Sequence, residues 1–286
     1  MKTQFSHTLF SSFYLWFEAR LLSTQGGAYT VNNPNSFEYV DFKDVPPSLL
    51  GYQGRFRGLV ADQSVDVPNS GVFINGGFIS GDNPNIHFDY LNGRIIVPVE
   101  SGANLSIKAN STVKEVNIYP YEDDEAQLVL SSDFVDYDDQ NSSFLSNLVN
   151  QLDNKTYLLP ACFLRYVSTE NENIAFGGER DSKTRIRAVV IAKDNYILDG
   201  VLCLFADANG SCINLIPFED SPYGLFDSVK SFPYSYQSYA ANFSSKMYIE
   251  GVTTSKLDYS IAMDKMEKNI LIGFIDFDLS AFRTPN

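Results

Sequence analysis

The chain is poor in the residues that most enzymes rely on. Among 286 residues it has two histidines, His7 and His87, three cysteines and a single tryptophan, Trp16. No cysteine lies near either histidine in sequence, and neither GxSxG nor HExxH occurs. Nucleophile–base pairs also form from distant residues, but no local motif marks one, and the chain is expected not to be an enzyme. Cys162, Cys203 and Cys212 sit in apolar or strand-like settings (LLPACFL, GVLCLFA, SCINLI) without the paired spacing of a zinc site. Buried free thiols in a reducing compartment are expected. Basic residues are also scarce, 21 against 35 acidic, and the net charge of −14 disfavours a protein that grips nucleic acid by neutralising phosphates. Long apolar runs are missing too: nothing approaches the ~18 residues of a membrane span. The N-terminal apolar stretch is broken by Ser6, His7, Ser11 and Ser12 and leads to Glu18 and Arg20 rather than to a cleavage site. The expectation is a soluble protein made in a cytoplasm.

What is present points to strands. The chain carries 22 Phe and 17 Tyr, with many Asn, Ser, Asp and Gly residues between them, and 44% of it is hydrophobic, enough to bury a sizeable core. The clearest signal runs from Gly71 to Tyr119. In GVFINGGFISG, Phe73 and Phe78 flank Asn75-Gly76-Gly77; in IHFDYLNGRIIVPV, Ile86, Phe88 and Tyr90 alternate into Asn92-Gly93, then Ile95 and Val97. Asn-Gly readily adopts the positive φ angles of a type I′ turn, so two hairpins are predicted. His87 alternates with Ile86 and Phe88 and faces the other side, as a surface histidine does.

The fold class is α+β and β-rich, in three parts. Residues 1–68 begin with a helix over 5–22, where Phe5, Leu9, Phe13, Phe17 and Leu21 recur every four residues and Gly26-Gly27 supplies the stop. That helix carries too much aromatic surface for water and packs on its own subunit or docks on a neighbour. Breakers at Asn32, Asn33, Pro34, Pro46 and Pro47, with Gly51, Gly54 and Gly58 behind them, make 28–68 an extended arm or long connection. Residues 69–132 form a small antiparallel sandwich or open barrel, with strands at Leu105 and Ile107, at Val116 and Ile118 up to Pro120, and over 128–130. An acidic linker over 133–141 leads into residues 133–286, a larger sheet with one or two helices. Strands are predicted over 158–167, 185–192, 196–205, 212–218, 247–252 and 269–277, a helix over 142–152, and a doubtful one over 257–268.

Candidate chemistry is thin. Asp199 with Asp207, and Asp276 with Asp278, are carboxylate pairs that nothing in the sequence singles out as catalytic. Asp133, Asp136, Asp138 and Asp139 lack the glycine and terminal glutamate of a calcium loop, and Asp207, Asn209 and Gly210 read as a hairpin turn. Arg180, Lys183, Arg185 and Arg187 are spaced as along a loop and an alternating strand, which reads as a solvated strand edge or subunit contact rather than a phosphate site. Phe176-Gly177-Gly178 is no phosphate cradle. No cofactor and no metal are assigned.

The order of segments, an aromatic helix, the double hairpin running into VKEVNIY, then LPACFL, AFGGE and RIRAVVIAKDNYILDGVL, resembles virion structural proteins of tailed bacteriophages, of the neck connector, tail-completion or terminator type. The resemblance implies a non-enzymatic virion subunit that forms a ring with copies of itself and adjacent virion proteins. DNA would pass through transiently without specific binding, and no membrane is involved. Under that reading the contacts come from the helix (Phe5, Phe13, Trp16, Phe17), the arm (Tyr52, Arg55, Arg57) and the Tyr-rich loop over 221–242 (Tyr223, Tyr234, Tyr236, Tyr239), because each segment shows apolar or aromatic surface without an evident internal partner. A carbohydrate-binding, host-recognition virion protein using those tyrosines is the alternative, and a small hydrolase with an unrecognised site a second.

Overall fold

A computed structural model describes residues 4–54, 58–65, 71–99, 105–136, 156–174, 178–225, 228–230, 233–257 and 270–283. The aromatic repeat at the N-terminus forms α1 (Phe5–Leu22), which is buried on most sides: Leu9, Phe13, Leu15, Trp16, Phe17, Leu21 and Leu22 lie in the core. A helix with apolar residues so widely distributed has to be enclosed. Its stop is the predicted one. A Cβ at Gly26 would lie 2.2 Å from the Leu21 carbonyl oxygen, so only glycine fits where the chain turns back.

The first sheet has seven antiparallel strands and curls into a half-barrel. Their order is β4 (Gly77–Ser80), β3 (Gly71–Ile74), β7 (Ile107–Lys114), β1 (Tyr29–Val40), β2 (Leu49–Gly54), β6 (Arg94–Pro98) and β5 (His87–Asp89). The β3–β4 hairpin turns at Asn75-Gly76, both at positive φ (50° and 86°), as a type I′ turn requires. Phe73 pairs with Phe78, ring centroids 5.2 Å apart. The second hairpin differs: Asp89 pairs with Arg94, and residues 90–93 form a longer loop in which the Asn92 N–H donates to Asp89 Oδ1 at 2.8 Å.

The predicted arm is instead part of this sheet. β1 lies between β7 and β2, so residues 29–54 are structural centre, not an extension. The register of β1 against β7 shifts between Asn32 and Asn35, which places Pro34 at a bulge, where a missing N–H costs the ladder nothing.

The second sheet has six strands in the order β13 (Cys212–Asn214), β14 (Lys246–Lys256), β15 (Leu271–Arg283), β12 (Arg180–Ala192), β11 (Ala161–Asn173) and β8 (Asn117–Pro120). Only β8 runs parallel to its neighbour. The chain crosses between sheets at 115–116, earlier than the boundary read from the sequence, and Pro120 ends β8 at the sheet edge as expected. A separate parallel pair joins β9 (Asp133–Asp136) to β10 (Thr156–Leu159), so 133–136 is strand rather than linker.

Two segments read as strands are helices. α2 (Glu125–Ser131) contains 128–130 and starts at Asp124, whose Oδ1 accepts from the Gln127 N–H at 2.7 Å. α3 (Asn195–Ala206) contains 196–205 and is capped by Asp194, which accepts from the Tyr196 N–H at 2.8 Å. A continuous apolar run such as VLCLF suits either element, and the caps decide. The turn at 207–210 consequently joins α3 to β13 rather than two strands, and of 212–218 only 212–214 is strand. A short α4 (Tyr236–Ala240) follows. The predicted helix over 142–152, residues 258–268 of the doubtful one, and Asp138 and Asp139 lie outside the described residues.

The second sheet is covered on both faces over much of its height. Its inner face presents Ile186, Ala188, Val190, Ile275, Phe277 and Leu279 to a core shared with α1, α3 and the first sheet's Val72, Ile95 and Ile107. Phe17 stacks on Phe205 of α3 at 3.9 Å, and Phe13 meets Phe277 edge-on at 4.9 Å. The outer face presents Phe163, Val189, Ile191 and Ile272 to a smaller core with Leu128, Tyr121 and Phe134.

Candidate functional site

Most of the aromatic residues assigned to intersubunit contacts are spent inside the chain. Phe13, Phe17 and Tyr52 are at most 1% exposed, and Trp16, Tyr234 and Tyr236 are buried. They leave the list of contact residues, because a side chain enclosed by its own core has no surface to offer a neighbour. Phe5, Tyr223 and Tyr239 are half-buried; Arg55 and Arg57 lie outside the described residues. The Tyr-rich loop found its partner in residues 58–65: the Gln63 N–H donates to the Tyr234 carbonyl at 2.7 Å and the Tyr236 N–H to Asp62 Oδ2 at 3.2 Å. A glycan platform on that loop would have only Tyr223 and Tyr239 partly available.

The cysteines divide differently from expectation. Cys162 is buried, and burial holds its thiol well above the usual range, whereas Cys203 and Cys212 are exposed. Cys203 lies on the outward side of α3, a face invisible while the segment was read as a strand.

The basic group is on a central strand, not an edge. Lys183 pairs with Glu172 at 3.0 Å, Arg185 with Asp278 at 2.9 Å and Arg187 with Asp276 at 2.6 Å, while Arg187 and Arg165 both reach Glu125. These cross-strand pairs neutralise the cations and occupy Asp276 and Asp278; Asp199 is paired with Lys256. Of the carboxylates considered for catalysis, Asp276 and Asp278 are therefore ladder partners. Among the described residues no group of three or more His, Cys, Asp or Glu is placed to hold a metal, and no helix is long and apolar enough to cross a membrane. His87 is half-buried, and desolvation lowers its pKa.

Two features remain as candidate sites. One is a cavity of about 850 Å³ between α1, the β5–β6 loop, the end of β7, residues 218–224 and Lys230. Its walls are mainly Phe10, Tyr14, Leu15, Tyr90, Phe218 and Tyr223. Into this apolar setting α1 sends Glu18 and β7 sends Lys114, both 6% exposed and joined as an ion pair. The Tyr223 hydroxyl donates to Glu18 Oε2 at 3.3 Å; burial, with the nearby Glu18 charge, holds its pKa well above the ordinary value. Glu18 Oε1 has only the ionic contact with Lys114 and no regular hydrogen bond. Sequence reasoning missed this pair, since no spacing links a helix glutamate to a strand lysine so far away; the one available signal was a lone carboxylate amid α1's aromatics.

The other feature is the pair of open edges of the second sheet. β8 covers β11 only over Ala161–Leu164, and β13 covers β14 only over Lys246–Tyr248. Among the described residues, 165–173 of β11 and 250–256 of β14 have no strand neighbour on their outward side. The β11 edge is exposed on both faces from Val167 to Ile174 except at half-buried Thr169. Both edges carry a bulge, at Tyr166/Ser168 and at Ile249/Gly251.

Comparison with protein-family models and with curated proteins gives no match.

Proposed function

We propose that the chain is a non-enzymatic structural subunit that assembles head-to-tail with copies of itself into a ring, as the likeness to neck and tail proteins of phage virions suggests. The observation that carries this reading is the pair of open edges at opposite sides of one sheet. β14, β15, β12 and β11 alternate in direction, so β14 of one copy is antiparallel to β11 of the next when both copies face the same way. Edge addition of this kind supplies backbone hydrogen bonds at no cost to the core.

The free stretches are also offset. Ser168 of β11 lies level with Arg185, Asp278 and Gly251 across the sheet, so 165–173 extends beyond one end of the stretch that faces 250–256. Matching them staggers neighbouring copies, and a closed ring of tilted strands needs such stagger. The bulges, together with Arg165, Glu170 and Glu172, discourage indiscriminate edge pairing while leaving room for one fixed neighbour. In this reading the subunit works in a virion beside other virion proteins, and a chain of net charge −14 lets DNA pass without gripping it. Native mass spectrometry of the full chain tests the proposal: a single closed stoichiometry supports it, and a persistent monomer, alone and with the virion's other proteins added, removes it.

A further inference from the structure

A second, independent inference rests on the cavity beneath α1. We infer that it binds an uncharged, mostly apolar small molecule carrying one hydrogen-bond acceptor, with Lys114 holding the acceptor. The volume of about 850 Å³ lies within the range of small-molecule sites, and the walls are largely aromatic. What distinguishes it from a packing gap is its floor. An ammonium has three donors, and that of Lys114, a residue 6% exposed, has Glu18 as its one partner among the described residues. Donor capacity is thus left unfilled inside an apolar chamber, where an unmade hydrogen bond is expensive.

The floor also selects the charge of the occupant. Glu18 already balances Lys114, so a carboxylate would compete with Glu18 for the same ammonium. A cation would face Lys114 directly. The Tyr223 hydroxyl is committed to Glu18, Ser11 Oγ to the Thr8 carbonyl at 3.1 Å, and the ammonium of Lys230, which also lines the cavity, to the Glu219 carbonyl at 3.3 Å on the exposed side, so none of the three competes with Lys114 as donor. A neutral carbonyl or ether oxygen is the group that gains most. This inference requires neither a ring nor a virion.

The test is calorimetric titration of the full chain with four probes sharing one apolar body: naphthalene, 2-acetylnaphthalene, 2-naphthoate and 2-naphthylmethylammonium. The expected result is saturable binding at one site, with the ketone about tenfold tighter than naphthalene, the order of one charge-assisted hydrogen bond. Both charged probes should bind more weakly than the ketone. The double variant Glu18→Leu/Lys114→Met should keep naphthalene binding and lose the ketone's advantage. Ser11→Trp, which fills the cavity from the helix without touching the ion pair, should abolish binding of all four and serves alone should the double variant not fold. Absence of saturable binding, equal affinity for ketone and naphthalene, a charged probe matching the ketone, or binding unchanged in Ser11→Trp would overturn the inference. None of these outcomes depends on the oligomeric state.

Discussion

β11 and β12 change character halfway along. Over Ala161–Leu164 and over 188–192 the strands are buried on both faces, inside the two cores; beyond Val167 on β11 the exposed side chains are mostly polar. The two halves are joined by one ladder from Ala161↔Ile191 to Asn173↔Arg180, with a bulge at Tyr166/Ser168. A strand needs to be only as long as the core it covers; Ser182 and Thr184 of β12 stay buried, but past Val167 β11 covers no core, and its outer half is not explained by the fold of this chain. That difference is the reason to look for a role of the outer half beyond the single chain.

The comparison is sharpest within β11 itself. Phe163→Ala removes a fully buried ring from the outer-face core and should cost about 3–5 kcal/mol in denaturant unfolding, whereas Val167→Ala, at a 46% exposed position, should stay within about 0.5 kcal/mol. Comparable losses at both sites would mean that the outer half is core after all.

Charged residues permit the same contrast. Lys114→Met leaves Glu18 buried without its cation and should cost about 3–5 kcal/mol, with much of the loss recovered in Glu18→Leu/Lys114→Met. Lys183→Met, on the solvent-facing ladder, should leave the unfolding midpoint unchanged. A large effect at Lys183 would show that the ladder supports the fold.

The inner region also predicts an alkaline limit. Burial raises the pKa of Tyr90, Tyr121, Tyr234 and Tyr236 above the ordinary 10.0, because the phenolate is poorly solvated there. Groups raised in the folded state contribute stability that is complete below pH 10 and lost as the pH climbs through their folded values. The part of the tyrosinate absorbance that comes from these four should therefore rise together with unfolding, and its smooth titration in a chain that stays folded would contradict their burial.

How much of this was legible depended on whether the signal was local. The 71–78 hairpin was legible because Asn75-Gly76 dictates its own turn, and α1 because its aromatic period and the Gly26 stop are written in consecutive residues. Residues 29–54 were not, since their breakers describe a bulge only when β7 is alongside. α3 was misread because VLCLF is apolar on every side and suits strand and helix alike; the bond from the Tyr196 N–H to Asp194 that caps it is seen only in the folded chain. Phe13, Phe17 and Tyr236 looked unpartnered because their partners, Phe277, Phe205 and Asp62 among them, are brought together only by tertiary structure. The open edges were hidden for the same reason: an edge is a property of sheet order, which no single segment carries.

The smallest effect on stability should accompany the largest effect on assembly. Of two consecutive positions on an antiparallel edge, one turns its N–H outward. Proline placed singly at Thr253 and at Thr254 should therefore yield one variant that keeps the fold and cannot extend the sheet. The most direct measurement is the native mass of the full chain, alone and with the virion proteins that the proposed role would supply, beside that folded proline variant. The account predicts one closed stoichiometry for the natural chain and a monomer for the variant. A natural chain that stays monomeric, or a ring that survives the proline, would contradict it.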